Sequence, residues 1–225
     1  WALAGDAGPR WEQAMKWLQR RMAWLQARAD RMTVINLVTN PRASVGTTGY
    51  ASYAGAGGVA ALSAAAGNPL GGNSVRLTWS TASSGVGGSR FDMTTIVPGK
   101  VYTAPAMARC SKSVALGMRL GRATSGGTTV GTDKYASSVV VAANTLTALP
   151  LLVSDPMEET AGIARWNVFN TVGTWDIGDW LEICGLMVVE GVATSLTYAD
   201  PGTHPTFGWV WDGTAFASTS RGWPI

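Results

Sequence analysis

The sequence predicts a mainly β protein, a sandwich of short strands preceded by one α-helix, and two features of the chain favour this class. Only 14% of the 225 residues are charged, 46% are apolar and 28 are glycine, a composition typical of short strands joined by many turns. From Val34 onward the chain breaks into short β-type runs bounded by turn residues, and no helix-length segment separates them. Such a series indicates a sandwich or barrel rather than a parallel sheet.

Ten segments carry the strand pattern, namely residues 34–39, 74–80, 90–97, 101–110, 113–121, 138–141, 145–153, 161–170, 180–189 and 206–212. The stretch 46–73 is rich in Gly, Ala and Ser, and we expect it to form long loops around one or two weak strands, with Tyr50 and Tyr53 near its start. Tyr135 falls in another predicted loop.

A heptad pattern predicts a helix over residues 10–32. Apolar side chains recur there at alternating intervals of four and three residues, and no Gly or Pro interrupts them. This apolar seam comprises Trp11, Met15, Leu18, Met22, Leu25, Ala29 and Met32. Because a lone helix of this length is marginal in water, we predict self-association as a short parallel coiled coil, in a homotrimer. Packing on the chain's own β domain and binding to a membrane surface are the alternatives.

A second face of the same helix carries two tryptophans among basic residues. Trp17 and Trp24 are seven residues apart, off the apolar seam, and share their face with Arg20, Arg21 and Arg28. Exposed tryptophans on a basic face favour contact with another protein surface. We therefore predict partner docking through Trp17, Trp24, Arg21 and Arg28.

The basic excess of the chain is confined to its N-terminal segment. Residues 1–33 hold six basic and three acidic residues, whereas residues 34–225 hold eleven of each sign. A nucleic-acid-binding protein would carry a basic stripe on its folded domain, so nucleic acid is not a predicted partner. No run of 18 apolar residues is present, and we predict no membrane insertion. The chain begins at Trp1 rather than Met, and we expect it to be a portion of a longer polypeptide.

No catalytic residue is predicted. Carboxylates cluster in one predicted loop, as Asp155, Glu158 and Glu159, and around one predicted turn, as Asp176, Asp179 and Glu182, although Glu182 falls within the predicted strand 180–189. We interpret both clusters as solvated turns, with a structural calcium site as the alternative. A glycosidase would need two carboxyl groups that face each other across the sugar, and we do not predict such a pair. His204 is the only histidine, and no Gly-x-Ser-x-Gly motif accompanies it. We therefore predict neither an enzyme nor a cofactor.

The two cysteines give no sign of a metal site. Cys110 and Cys184 are 74 residues apart, and no Cys or His lies near either of them at metal-ligand spacing. Two free thiols in strands are the favoured interpretation, and a disulfide between two strands is the alternative.

Several segments resemble, in order along the chain, one known family. The run from Asn36 to Arg42 after the helix, the turns at 97–102 and 175–183, and the C-terminal pieces at 198–202 and 209–220 carry the resemblance. They are similar to the carbohydrate-binding-module-like jelly rolls of minor tail proteins from siphophages that infect actinobacteria. The balance of 13 Arg against 4 Lys also suits a GC-rich coding sequence.

This resemblance implies a jelly-roll β-sandwich preceded by an N-terminal coiled-coil α-helix. It divides the chain into an oligomerisation and docking helix (1–33), the sandwich (34–199) and a C-terminal aromatic strand and tail (200–225). It further implies a virion protein at the phage tail tip, with itself, other tail proteins and a host cell-wall glycan as partners. A glycan-binding module of a cell-wall-acting enzyme is the alternative function.

Glycan contacts are expected where aromatic rings and polar side chains share a concave face or a loop edge. The candidates are Tyr50, Tyr53, Arg76, Trp79, Tyr135, Arg165 and Trp166. Strand alternation puts Trp166 and Val168 on one face of their strand, and Arg165, Asn167 and Phe169 on the other. For Trp79 and Trp166, burial in the core is the favoured interpretation and a sugar platform is the alternative.

Overall fold

The computed structural model describes residues 10–32, 34–39, 41, 43, 46–193, 196, 198, 210–211 and 220–222. Within these residues it has one helix, α1 (Arg10–Met32), and seventeen strands. The strands are β1 (Val34–Asn36), β2 (Tyr50–Tyr53), β3 (Val59–Ala66), β4 (Asn73–Thr81), β5 (Gly88–Met93), β6 (Tyr102–Ala104), β7 (Ala106–Cys110), β8 (Val114–Ala123), β9 (Lys134–Tyr135), β10 (Val139–Val141), β11 (Thr147–Ala148), β12 (Leu152–Val153), β13 (Ile163–Asn170), β14 (Trp180–Leu186), β15 (Val189–Glu190), β16 (Val210–Trp211) and β17 (Ser220–Gly222).

Two antiparallel sheets form a β-sandwich. The front sheet has the strand order β10-β8-β13-β5-β2, with β9 paired to β8, and the back sheet has the order β11-β7-β14-β4-β3. Two small sheets flank them, β12-β6-β15 and β1-β17-β16. The chain passes repeatedly from one main sheet to the other, which is the wrapping of a jelly roll.

The core lies between the two main sheets. Side chains at alternate positions of both sheets point inward, and the central ones are Leu116, Met118, Leu120, Trp166 and Val168 from the front and Val75, Leu77, Trp79, Leu181 and Ile183 from the back. Trp79 stacks on Trp175 with ring centroids 4.3 Å apart. Buried Asn170 accepts hydrogen bonds from Trp175 Nε1 (2.9 Å) and Gly87 N (2.6 Å). The indole N–H of Trp175 is thus satisfied inside the core.

The structure shortens or divides several predicted strands. The segment 101–110 becomes β6 and β7 on either side of Pro105, because proline has no N–H to donate to a ladder. The segment 34–39 ends as a strand at Asn36, whose Oδ1 accepts from the backbone N–H groups of Val38 and Val188, both at 3.1 Å. The assignment of three tyrosines to loops is wrong, since Tyr50 and Tyr53 lie on β2 and Tyr135 lies on β9.

The helix α1 has the predicted bounds. Its described side chains along the seam are exposed, at 65% for Trp11, 49% for Met15, 47% for Leu18 and 67% for Met22, as is Trp17 on the second face at 63%. This part of the seam therefore does not pack on the sandwich of its own chain, and the coiled coil stays a prediction. The side chains of Trp24, Leu25, Arg28 and Met32 lie outside the described part of the chain. Among the described residues, no helix has the length and apolar character of a membrane span.

The C-terminal strands meet the strand that follows the helix. The predicted strand 206–212 is described only as β16, and β17 pairs with β1 in the register Val34 to Gly222. The rest of 200–225, His204 included, lies outside the described residues.

Both cysteines are buried free thiols, on the paired strands β7 and β14, which confirms the favoured interpretation. Burial raises the pKa of Cys110 to about 11 and that of Cys184 to about 12, because a thiolate loses its hydration inside the core.

We expect neither thiol to react with an aromatic disulfide reagent in the native protein at pH 8, and both to react after denaturation. The unfolded chain ionises its thiols at lower pH than the folded chain does. The contribution of the two buried thiols to the free energy of unfolding is therefore complete below about pH 9. It falls as pH rises toward their pKa values in the folded protein. Colorimetric thiol titration checks the expected lack of reactivity at pH 8, and rapid labelling of the native protein would contradict it.

Candidate functional site

A cleft of about 260 Å³ opens on the outward face of the front sheet. Its lining residues are Tyr53, Val86, Arg119, Tyr135, Asn167 and Phe169. Tyr53 on β2 and Tyr135 on β9 come from opposite sides of the sheet, while Asn167 and Phe169 come from the central strand β13. The cleft therefore crosses the middle of the sheet, with an aromatic side chain toward each edge.

Strand alternation explains why these side chains face outward. On β13, Trp166 and Val168 point into the core and are each 1% exposed, so the intervening Asn167 points to the opposite face. Asn167 is paired in register with Arg119 on β8, which therefore shares its face. Glycines 117 and 121 stand two residues to either side of Arg119. Because they carry no side chain, Thr171 packs close to the backbone at Gly117, and Asp133 packs close to the backbone at Gly121.

The aromatic walls of the cleft differ in exposure. Phe169 is 9% exposed, whereas Tyr53 is 45% and Tyr135 is 56% exposed. Tyr135 meets the edge of Phe169 with ring centroids 6.3 Å apart, and Arg119 Cζ lies 5.9 Å from the ring of Tyr53. The two tyrosines thus present free ring surface beside fixed neighbours, as an aromatic platform for a ligand requires.

Asn167 supplies an oriented acceptor on the floor of the cleft. Its Nδ2 donates to the carbonyl oxygens of Arg165 (2.9 Å) and Arg119 (3.3 Å). Because carbonyl oxygens only accept, this pairing fixes which end of the amide is Nδ2. Oδ1 accepts no hydrogen bond from the described residues, and it is left as an acceptor for a ligand.

Three of the predicted glycan contacts lie on this face. Tyr53 and Tyr135 line the cleft, and Arg165 stands two residues before Asn167 on the same side of β13. The sequence patterns distribute these residues over three separate segments, and the front sheet brings them together.

The other predicted contacts lie elsewhere. Tyr50, Trp79 and Trp166 are core residues, at 8%, 1% and 1% exposure, so they offer no surface to a glycan. Trp79 Nε1 also donates to the carbonyl of Ala54 at 2.9 Å inside the protein. For Trp79 and Trp166 this confirms the favoured interpretation of core burial, and for Tyr50 it corrects the predicted glycan contact. All three side chains occupy inward positions of their strands and pack against the opposite sheet.

Arg76 lies on the back sheet and is held by a buried carboxylate. The side chain of Glu182 is 0% exposed between Arg76 and Arg109, and Arg76 Nε donates to Glu182 Oε1 at 2.7 Å. The ring of Trp180 covers the Arg76 guanidinium, 4.5 Å from Cζ. The hydrogen bond with Glu182 raises the pKa of Arg109 above its usual value. The interpretation of Glu182 as a solvated turn residue is therefore wrong, because it lies inside β14.

Four of the remaining acidic side chains of these clusters, Asp155, Glu158, Asp176 and Asp179, pair with cationic side chains. Lys112 Nζ lies 2.8 Å from Asp176 and 2.5 Å from Asp179. Partial burial raises the pKa of Asp179, but hydrogen bonds from Lys112 and its other donors outweigh burial and hold that pKa below its usual value. In the other turn, Glu158 pairs with Arg122 at 3.0 Å. Within the described residues, no three His, Cys, Asp or Glu side chains are grouped to hold a metal ion.

This chain resembles known proteins in its three-dimensional structure but not in its sequence. No protein family and no curated protein matches this sequence. The CBM22-1 xylan-binding domain from Paenibacillus barcinonensis superposes with a TM-score of 0.51 at 14% identity, over 68% of this chain and 94% of that one. The fold resembles that of this carbohydrate-binding module. At this identity the likeness shows the jelly-roll fold alone.

The same carbohydrate-binding-module-like fold occurs inside larger proteins. The enzymatically active domain of tailspike protein 4 from bacteriophage CBA120 superposes with a TM-score of 0.51 at 15% identity, over 69% of this chain. An arabinose-bound α-L-arabinofuranosidase gives a TM-score of 0.52 at 11% identity, over 71% of this chain. This chain spans 21% of the tailspike and 27% of the arabinofuranosidase.

The predicted glycan contacts missed four lining residues of the cleft, namely Val86, Arg119, Asn167 and Phe169. The signal for Arg119 was present, because Leu116, Met118 and Leu120 alternate with it along a predicted strand and mark its face as the outer one. Val86 lies in the connection between β4 and β5, and no pattern in a Gly-rich loop indicates which side chain turns toward the sheet.

Proposed function

We propose that this chain is a minor tail protein of a phage of actinobacteria, and that its sandwich attaches the tail tip of the virion to a glycan of the host cell surface. The observation that supports glycan binding most strongly is the cleft on the outward face of the front sheet. Tyr53 and Tyr135 are exposed at its sides, and Arg119 and Asn167 lie on its floor.

The cleft has the two kinds of group that a sugar ring requires. A pyranose presents C–H groups on its faces and hydroxyl groups at its rim, so it packs on aromatic rings and bonds to polar groups beside them. Tyr53 and Tyr135 supply the rings, Arg119 supplies donors, and Asn167 Oδ1 supplies an acceptor. The fold supports the same proposal, since a xylan-binding domain and a phage tailspike domain share it.

Attachment to the tail is proposed from the helix and from the resemblance. The exposed seam side chains of α1, such as Trp11 at 65% and Met22 at 67%, form an apolar stripe that a soluble protein covers with a partner. The heptad spacing favours other copies of the same helix, and we propose that three copies associate as a homotrimer. The second face, with Trp17 and Arg21, then remains for docking to other tail proteins.

Disrupting the seam with Leu18→Asp and Leu25→Asp should convert the oligomer into monomers, because two carboxylates would be buried in each seam. Light scattering after size-exclusion chromatography measures the mass. The matched control is Gln13→Asp with Ala27→Asp, which adds the same charge at positions off the seam and should leave the oligomer intact. A monomeric wild-type chain would contradict the role of the helix.

Glycan binding is tested with the purified oligomer on an array of bacterial cell-wall oligosaccharides. We expect saturable binding to a defined subset of the glycans. Correctly folded oligomer that binds no glycan on the array and no host cell wall would contradict the proposed attachment role.

A further inference from the structure

The face around the cleft holds more guanidinium groups than carboxylates. Arg90 on β5 and Arg119 on β8 are each paired in register with Asn167 on the central strand. Arg165 lies two residues before Asn167 on the same face and is paired in register with Asp92. Asp133 is the second carboxylate beside this group, 3.6 Å from Arg119 Nη1. Three guanidinium groups and two carboxylates therefore lie together on this face, with a net positive charge.

The ion pairs within this group are unequal. Arg90 Nε lies 2.9 Å from Asp92 Oδ1, which is an ion pair by distance, although neither atom makes a hydrogen bond. The pair of Arg119 with Asp133 is long, at 3.6 Å. Arg165 makes no ion pair with a described residue, and its Nη2 donates to the carbonyl of Gly127 at 3.3 Å. The excess positive charge thus lies with Arg119 and Arg165.

Two donors of these same arginines have no partner inside the protein. The Nε atoms of Arg119 and Arg165 are buried and make no hydrogen bond, and the same holds for the Nε atoms of Arg90 and Arg122. A buried donor without an acceptor lowers stability unless a water or a ligand satisfies it. Arg119 and Arg165 are diagonal neighbours across β8 and β13, about 7–8 Å apart at their backbones. Long side chains at that spacing can converge on one anionic group.

Building on the proposed glycan function, we infer that the glycan is anionic and that Arg119 and Arg165 hold a carboxylate of an acidic sugar while Tyr53 or Tyr135 packs on a ring. A carboxylate matches the planar fork of a guanidinium better than a hydroxyl group does. It would also neutralise the excess charge. A neutral sugar would leave that charge unbalanced beside the cleft.

The test uses pairs of oligosaccharides that differ only at C6, where one member has a carboxylate and the other a hydroxymethyl group. On an array of such pairs, we expect the wild-type oligomer to bind the acidic members at least tenfold more tightly. This preference should shrink as salt rises from 50 to 500 mM, because ions screen a partly exposed charge pair. Arg119→Gln and Arg165→Gln should each reduce the preference, and the double variant should abolish it.

Lys100→Gln is the matched control, since it removes one positive charge at a side chain that is 51% exposed and pairs with Glu190. It should leave the preference unchanged. Equal binding of acidic and neutral members would overturn the inference while leaving the proposed glycan function intact. A preference that survives in the double variant would also overturn it. Failure to bind any glycan would instead contradict the proposed function itself.

Discussion

Replacing Tyr135 with alanine should weaken glycan binding about thirty-fold. The exposed ring stands at the open side of the cleft, 6.3 Å from Phe169, and an aromatic platform of this kind contributes about 2 kcal/mol to binding, where 1.4 kcal/mol corresponds to a tenfold change. Tyr53→Ala should have a similar effect, and it also removes the ring beside the Arg119 guanidinium. Isothermal titration calorimetry with the tightest oligosaccharide from the array measures both changes.

Two controls separate ring packing from other effects. Tyr135→Phe keeps the ring and loses only the hydroxyl group, so it should retain most of the affinity. Ile177→Ala removes another exposed apolar side chain, one that is 73% exposed and lies away from the cleft, and it should change nothing. If Tyr135→Ala binds as tightly as the wild type, the cleft is not the binding site.

The largest effect on stability is expected for Glu182→Ala. The variant leaves Arg76 and Arg109 without their shared carboxylate, and breaking a buried ion pair at one partner costs about 3–5 kcal/mol. For a domain of this size that corresponds to a fall of roughly 10 °C in the thermal midpoint. Differential scanning calorimetry of the wild type and the variant gives the difference.

An exposed pair in the same protein provides the comparison. Glu190 lies 2.6 Å from Lys100, but both side chains are about half exposed, so Glu190→Ala should leave the thermal midpoint nearly unchanged. Replacing all three members of the buried cluster, with Arg76→Met, Glu182→Leu and Arg109→Met, should recover much of the loss. Equal changes in the thermal midpoint for Glu182→Ala and Glu190→Ala would contradict the claim that the buried cluster contributes more to stability than the exposed pair.

Composition and periodicity were sufficient for the class of fold and for the bounds of α1. They were also sufficient for β13, where alternation predicts that Trp166 faces the core and that Asn167 lies on the opposite face. Both features are local, because the period of a helix or a strand repeats within a short window of neighbouring residues. The divided strands are local too, and Pro105 marks one of the divisions.

The candidate site was harder to predict, because it depends on pairing between distant segments. Tyr53 and Tyr135 are on the short strands β2 and β9 within Gly- and Ser-rich sequence, where strand propensity is weak and only the neighbouring strand fixes the backbone. Glu182 was misplaced for a similar reason. Its arginine partners at 76 and 109 reach it only through strand pairing, as β4 and β7 flank β14.

The most direct test of the central claim is to map the bound glycan on the protein in solution. Amide chemical-shift changes would be recorded during titration with the tightest oligosaccharide. We predict that the largest changes fall on Tyr53, Arg119, Tyr135 and Asn167, on the outward face of the front sheet. Changes concentrated on the back sheet around Arg76 and Trp180, or confined to the loops at one end of the sandwich, would contradict the assignment of the cleft.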